Sequence, residues 1–395
     1  MNPAHQPSHV LGSAMTPTLA QPDRPAGAPP GTRVLRAGSL SVLVPLRAVL
    51  VAVAAGLALA AAVVWSAAVG SFALSPWEAA RAMVGQGTPT AVLLIQKIRL
   101  PRIVAGMLAG AALGLAGCLT QTISRNRLAT PNTLGVNEGA ALAILAVVLA
   151  TGNSLGPWWV GPLGGLAVAL ALLLISGGPG TRSYRFLVVG IALAALIDAH
   201  INLVLAQEHI TTATAVFAWT VGSLAGRGYL VALPVAVALA FLLPLVLLVG
   251  RPLSVLQLGE EVAASLGVPV RRVQVAVMLL AVTLAGLAVG IGGPIAFIAM
   301  AAPILASRLS EPTRVPLILS GILGALLVVV ADTLHKAVDT SLQLCGARGY
   351  SKDTRLEWIY RYARQAKLVD GASEVHKMVL SKYLLQEGTD FWRWG

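Results

Sequence analysis

The chain has few charged residues for its length. Asp, Glu, Lys and Arg make up 11% of its 395 residues, hydrophobic residues make up 56%, and the mean hydropathy is +0.79. Because soluble domains carry about 25% charged residues, this composition excludes an ordinary soluble fold. It predicts a multi-pass protein of the cell membrane, in contact with lipid.

Cysteine is scarce as well, and one phosphate-binding motif is missing. Cys118 lies in an apolar run and Cys345 near the C-terminal end, so neither a disulfide framework nor a metal site is expected. No lysine follows a glycine, which excludes the Gly-Lys pair of a P-loop. The sequence therefore predicts that ATP, if it is used, is bound by another protein.

Positive charge is in excess, with 28 Lys and Arg against 16 Asp and Glu, a net charge of +12. The basic residues form short clusters between apolar runs, a pattern that orients membrane helices and does not indicate nucleic-acid binding. Clusters in alternate loops place the N-terminus in the cytoplasm. The exception is the outer stretch before the second span, which contains Arg81, Lys97, Arg99 and Arg102.

Three regions differ in composition. Residues 1–38 predict a disordered tail, residues 39–337 a membrane domain, and residues 338–395 a polar C-terminal region. A helix of about 20 apolar residues crosses the hydrocarbon layer. Nine candidate spans of roughly this kind lie at 40–64, 103–123, 138–151, 158–176, 186–206, 229–250, 272–292, 295–310 and 315–336.

Glycines recur along the second span. Gly106, Gly110 and Gly114 lie four residues apart, which places them on one side of a helix. Small residues at this spacing let helix backbones approach closely in lipid. The pattern predicts a helix-packing surface.

Polar residues interrupt the apolar runs at a few positions. Asp198 and Asn202 share one side of the fifth span, and ionisable groups inside a membrane indicate function by default, here a transport path. A hydrogen-bonded pair inside the bundle explains them equally well. The stretches at 129–140 and 209–226 are too polar or too rich in glycine to cross the membrane alone. Each either lines a transport path or forms a buried re-entrant turn.

A short polar helix is predicted at 258–267, between two long apolar runs. Glu260 and Glu261 open it, and Arg271 and Arg272 follow it. Such an element in an internal loop is typical of a docking surface for a soluble partner. The alternative is an amphipathic helix that rests on the membrane surface.

Several motifs occur in a fixed order along residues 40–336. They are Leu100-Pro101-Arg102, the segment 125–136, the segment 219–224, the loop helix at 258–267, the segment 293–297 and Ala331-Asp332-Thr333. Their order, spacing and hydropathy resemble the FecCD family of iron-siderophore and vitamin B12 ABC-transporter permeases. Ala301-Ala302-Pro303 resembles the ferric-catecholate members.

The resemblance implies an iron-siderophore permease that pairs with a second permease subunit, identical or different. A cytoplasmic ABC ATPase and an extracytoplasmic siderophore-binding protein would be its partners. Arg99 and Arg102 would pair with carboxylates of the binding protein; without the resemblance they are interfacial arginines. The loop helix would be the ATPase-coupling helix, with Leu258, Gly259, Glu260, Glu261, Ala263, Leu266 and Gly267 as its residues.

The C-terminal region resembles a different family, the C-terminal end of acyl-CoA dehydrogenases, over residues 341–395. In that resemblance Gln343 belongs to an FAD-binding stretch and Asp370 matches the catalytic base. A base needs a bound substrate and a flavin acceptor, and the domains that hold them are missing. Both residues would therefore be vestigial, FAD is not expected, and an inactive dehydrogenase fragment on a membrane anchor is the alternative function.

Together these features predict an all-α fold. It is a polytopic membrane helical bundle of about nine spans, in which a short soluble helical tail replaces the family's last helix. The chain is expected to have no enzymatic activity of its own.

Overall fold

The structure is a computed structural model. It describes residues 32–37, 40–70, 72–131, 135–151, 157, 159–176, 183–207, 224, 228–293, 295–310, 315–345 and 357–361. The chain divides into two compact units, Met1–Leu46 and Arg47–Gly395.

The described part of the first unit is an antiparallel hairpin. β1 (Thr32–Ala37) pairs with β2 (Leu40–Pro45), and Ala37 lies opposite Leu40 at the turn. The β-branched residues Thr32 and Val34 of β1 and Val42 and Val44 of β2 favour extended backbone. The prediction of disorder through residue 38 is therefore wrong for β1, and the first apolar run starts as a strand. Residues 1–31 of the predicted tail lie outside the described residues.

The second unit is helical, as the sequence predicts. An apolar helix lies at each of the nine predicted spans; in the part that the structure describes, six are long and apolar enough to cross a membrane and three are shorter. The elements are α1 (Leu46–Ala68), α2 (Pro76–Met83), α3 (Pro89–Leu93), a π-helix (Leu94–Arg99), α4 (Leu100–Ser124), α5 (Val136–Thr151), α6 (Val160–Ser176), α7 (Ser183–Gln207), α8 (Tyr229–Leu256), α9 (Glu260–Ser265), α10 (Val270–Gly292), α11 (Ala296–Ser310) and α12 (Leu317–Leu344).

α4 is the central helix of the bundle, and it packs mainly against α12, α10 and α11. Gly110 lies so close to α12 that an added Cβ would meet the Gly324 carbonyl oxygen. An added Cβ on Gly114 would meet the carbonyl oxygen of Ser320, and one on Gly106 would lie 3.3 Å from Val328. Gly110 and Gly114 thus lie at the crossing of α4 and α12, where the backbones touch without intervening side chains, whereas Gly106 faces side chains.

We expect Gly114→Ala to destabilise the bundle. The new methyl group would overlap the Ser320 carbonyl, and overpacking of this kind costs about 1–3 kcal/mol. The matched control is Gly56→Ala in α1, where nothing lies within 4 Å of an added Cβ. The unfolding temperature of the detergent-solubilised protein should fall for the first variant only. An equal unfolding temperature for both variants would contradict the close crossing.

Two hydrogen bonds from arginines join helix ends at one end of the bundle. Arg47 at the start of α1 donates to the Leu309 carbonyl at the end of α11, at 3.0 Å. Arg125 at the end of α4 donates to the Leu256 carbonyl at the end of α8, at 2.8 Å. The positive-inside bias predicts that this end is cytoplasmic. The other basic residues at these helix ends and loops are Arg127, Arg251, Arg271, Arg272 and Arg308.

α12 is longer than the sequence predicts. The span expected to end at residue 336 continues as helix to Leu344, so the domain boundary expected at 337 falls inside α12. Asp332, close to the expected end of the span at residue 336, therefore lies well inside the helix. The reason is that a membrane helix need not stop where its apolar run stops, because its backbone hydrogen bonds also hold in the polar interfacial layer.

Candidate coupling surface and membrane path

α9 lies at the cytoplasmic end of the bundle, between α8 and α10. Gly259 (φ 128°) and Gly267 (φ 81°) flank it, and these positive φ angles permit the sharp turns on either side. Ala263 is fully buried and holds the short helix against the bundle. The rest of α9 is exposed, so this element presents most of its surface to the cytoplasm.

Acidic and apolar side chains share the exposed surface of α9. Glu260 and Glu261 lie in its first turn. Val262 within α9 and Leu258 and Leu266 on either side of it are exposed. Exposed apolar side chains beside acidic ones fit a protein partner. Val262 was not among the predicted residues of this helix.

Two hydrogen bonds lie in and beside the loop that contains α9. Gln274 in α10 donates to the Glu260 carboxylate of α9 at 3.0 Å. Arg125 has a positive φ of 49°, ends α4 and donates to the carbonyl of Leu256, the last residue of α8. The first bond joins α9 to α10, and the second joins the central helix α4 to the end of α8 that leads into α9.

Arg99 is buried at the opposite, extracytoplasmic end. Its guanidinium donates to the carbonyl oxygens of Ala67 at 2.6 Å, Ala68 at 3.2 Å and Phe72 at 2.6 Å. The last carbonyls of a helix lack donors within the helix, and arginine often supplies them. Arg99 is only 9% exposed, and its donors cap the end of α1. Pairing of Arg99 with a binding protein stays a prediction.

Arg102 forms a charged cluster with two residues of α12. Its guanidinium lies 2.8 Å from one oxygen of Asp332, and the Lys336 ammonium lies 2.7 Å from the other. The Arg102 side chain is 26% exposed, so docking of a binding protein there stays a prediction. The sequence-based site omitted Lys336, although its spacing of four from Asp332 was a readable signal.

Asp198 and Asn202 lie on the exposed side of α7. The Asn202 amide donates to Asp198 at 3.2 Å, and both residues are exposed, while Ile197 and Ile201 on the other side are buried. The pair is hydrogen-bonded but exposed on the single chain, so both interpretations, a transport path and a pair inside the bundle, stay predictions. A carboxylate facing lipid is costly, so this side of α7 is suited to face water or another subunit.

A second carboxylate, Glu138, lies in the first turn of α5 and interacts electrostatically with Asp198. α5 begins deep in the bundle, because a Cβ on Gly135 would lie 3.2 Å from Val168 and 3.6 Å from Ala194, midway along α6 and α7. Glu138 was not among the predicted site residues. An acidic residue at the start of an apolar helix was the signal that could have found it. Of the predicted path segments, residues 132–134, 209–223, 225 and 226 lie outside the described residues.

Comparison with known proteins assigns the chain to a family. Residues 46–345 match the FecCD transport family. The chain belongs to this family. It is therefore a non-enzymatic permease subunit of the ABC-transporter type and a multi-pass protein of the inner membrane, and both predictions are confirmed.

Curated relatives of this FecCD protein span most of its length. The ferric enterobactin transport system permease FepG of Escherichia coli is 30% identical, over 71% of this chain and 86% of the relative. The achromobactin transport system permease CbrC of Dickeya dadantii is 33% identical, over 72% and 82%. A solved inward-facing metal-chelate type ABC transporter covers 84% of this chain and 99% of its own, at 23% identity and a TM-score of 0.62, and supports the fold.

The end of the chain matches a second family. Residues 325–385 match the acyl-CoA dehydrogenase C-terminal domain, a match that overlaps the FecCD match over residues 325–345. Gln343 lies in the overlap and is an exposed residue of the last turn of α12; Asp370 lies outside the described residues. Residues 357–361 form a helical turn in which the Tyr360 ring lies 5.8 Å from the His335 ring of α12.

Proposed function

We propose that this chain is the permease subunit of an importer for an iron-siderophore. It would receive the ferric chelate from an extracytoplasmic siderophore-binding protein and release it to the cytoplasm, while a cytoplasmic ABC ATPase hydrolyses ATP. The observation that carries the proposal is α9, an exposed acidic and apolar helix at the basic end of the bundle, bonded to α10 through Gln274 and Glu260. The names of FepG and CbrC support a ferric chelate as cargo.

A second permease subunit, identical or different, would complete the path. Asp198 and Asn202 on the exposed side of α7 would then face a water-filled space between the two subunits. This placement avoids the cost of a carboxylate in hydrocarbon, about 2.5–3.5 kcal/mol on insertion scales. At the extracytoplasmic end, Arg102 would meet a carboxylate of the binding protein.

The chain itself would bind neither ATP nor FAD. It has no Gly-Lys phosphate-binding pair, and its resemblance to acyl-CoA dehydrogenases is confined to the C-terminal domain of that family. Visible flavin absorbance in the purified protein would contradict this part of the proposal and favour the tethered dehydrogenase fragment.

Uptake of radioactive iron tests the proposed path. Cells that express the chain with its ATPase and binding protein should accumulate a ferric siderophore, and Asp198→Leu should lower the uptake several-fold because it removes a charge from the water-filled space. His200→Leu is the matched control, since His200 is also exposed on α7 but lies outside the bonded pair. Unchanged uptake with Asp198→Leu would remove this residue from the path. Absence of uptake both in the parent and in a chain with a FecCD-type final helix after Cys345 would refute the importer.

A further inference from the structure

α2 is a short amphipathic helix at the extracytoplasmic end, just after α1. Ser75 caps it: its hydroxyl accepts from the Glu78 N–H at 3.2 Å, and its own N–H donates to the Glu78 carboxylate at 2.9 Å. The bond from the Ser75 N–H, with that from its hydroxyl, lowers the pKa of Glu78 below its ordinary value. Ala79 and Ala82 are fully buried and fix one side of α2 against the protein.

The other side of α2 points away from the protein. Trp77 is 71% exposed and Val84, directly after the helix, is 72% exposed. Arg81 is exposed between them, and the spacings of four and three residues align all three on one side. Phe72, before the helix, is also exposed.

The surroundings of α2 indicate what covers this side. α1 is a spanning helix whose most apolar window is only 6% buried, so its outer surface is a lipid-facing surface. Trp65 in the last turn of α1 is exposed on that helix, a few residues before Phe72 and Trp77. Tryptophan concentrates where the acyl chains meet the headgroups, and arginine there reaches the phosphate layer.

We infer that α2 is an interfacial helix that binds phospholipids of the outer leaflet. Trp77 and Val84 enter the boundary of the acyl chains, and Arg81 meets headgroup phosphate. The inference rests on the membrane location of the chain and not on the proposed cargo.

This lipid contact would set the position of α4. Gln96 of the π-helix donates to the carbonyl oxygens of Ala82 at 3.4 Å and Met83 at 3.3 Å, at the end of α2. Arg99 of the same π-helix caps α1, and α4 begins at the next residue. The π-helix thus connects α2, α1 and the start of α4. Because Arg102 lies in the first turn of α4, the depth of α2 in the lipid interface would set the height of Arg102 relative to the bilayer.

Spin labels at single cysteines test the inference directly. The background is Cys345→Ser, because Cys345 is exposed and the other cysteine, Cys118, is buried. Trp77→Cys and Val84→Cys are labelled, reconstituted into vesicles of phosphatidylethanolamine and phosphatidylglycerol, and exposed to oxygen or to a water-soluble nickel complex. Gln86→Cys, an exposed polar position two residues beyond Val84, is the matched control.

The labels at 77 and 84 should collide with oxygen more often than with nickel, with a collision ratio several-fold above that of the label at 86. Equal ratios at the three positions would place α2 in water and overturn the inference. Labels at 77 and 84 that are shielded from both reagents would also overturn it, because a protein partner would then cover this side. Should Trp77→Cys fail to fold, Val84→Cys carries the test. No transport is measured, so failure here leaves the proposed function untouched.

Discussion

Reversing the charge of Glu260 and Glu261 is expected to release the cytoplasmic ATPase from this chain. Both carboxylates are exposed at the start of α9, where the basic surface of a partner would approach. Like charges brought together across an interface cost several kcal/mol, and each 1.4 kcal/mol changes affinity about tenfold. The double variant Glu260→Arg with Glu261→Arg should therefore lower co-purification of the ATPase about a hundredfold, while membrane insertion stays normal.

Two further variants separate charge from a lost hydrogen bond. Gln274→Ala removes the bond to Glu260 and leaves both charges, so ATPase association should stay near that of the parent. Glu260→Gln with Glu261→Gln neutralises the surface without repulsion and should weaken association less than the arginine pair. Normal ATPase association in the arginine variant would mean that α9 rests on the membrane surface and is not the coupling helix.

The bilayer explains why so much of this fold could be predicted from the sequence. A membrane span needs a minimum length and an apolar composition, so each span leaves a local signal that requires no knowledge of its neighbours. The glycines of α4 were readable for a similar reason, since Gly110 and Gly114 share one side of a helix by spacing alone. Their partner carbonyls, on Gly324 and Ser320, lie far away in the sequence and needed the structure.

The outer arginines could not be predicted in the same way. A count of charges places Arg99 outside the membrane but cannot distinguish a side chain in water from one that caps another helix. Its partners are the carbonyls of Ala67, Ala68 and Phe72, and a backbone carbonyl leaves no mark in the sequence. The partner of Arg102 could not be predicted either, because Asp332 lies on a helix near the other end of the chain.

The sequence also did not show how deep in the membrane α5 begins. The polar stretch at 129–140 predicts irregular backbone, yet from Val136 the chain is already helical. The contacts of Gly135 with the middle of α6 and α7 show that this helix starts inside the bundle. Glu138 is therefore an intramembrane carboxylate, which its position near the end of a predicted loop concealed.

The C-terminal tail is expected to limit transport by this chain. In the FecCD resemblance a last helix should follow α12 and complete the bundle beside the path, whereas residues 325–385 match a dehydrogenase domain. The tail includes Lys352, Asp353, Arg355, Glu357, Arg361 and Arg364. Placing one such charge in the hydrocarbon layer costs about 2.5–3.5 kcal/mol, so the tail cannot substitute for a membrane helix.

The described part of the tail agrees with a polar location. Residues 357–361 form a helical turn in which Arg361 pairs with Glu357 at 2.6 Å, and the Tyr360 ring lies near His335 of α12. Val330, Leu334 and Leu344 of α12 remain exposed, and they offer an apolar surface that a further membrane helix could cover. Among the described residues, the Tyr360 and His335 rings form a contact between the tail and α12.

Replacing the residues after Cys345 with a FecCD-type final helix should therefore raise ferric-siderophore uptake several-fold at matched expression. The new helix would cover the exposed side of α12 and close the bundle beside the path. A chain that stops at Cys345 is the control, since it removes the tail without supplying a helix and should show no comparable gain. Equal uptake by the parent and the helix-bearing chain would show that the tail is compatible with transport. A gain from truncation alone would mean that the tail obstructs transport by its presence, and that the missing helix is not the cause.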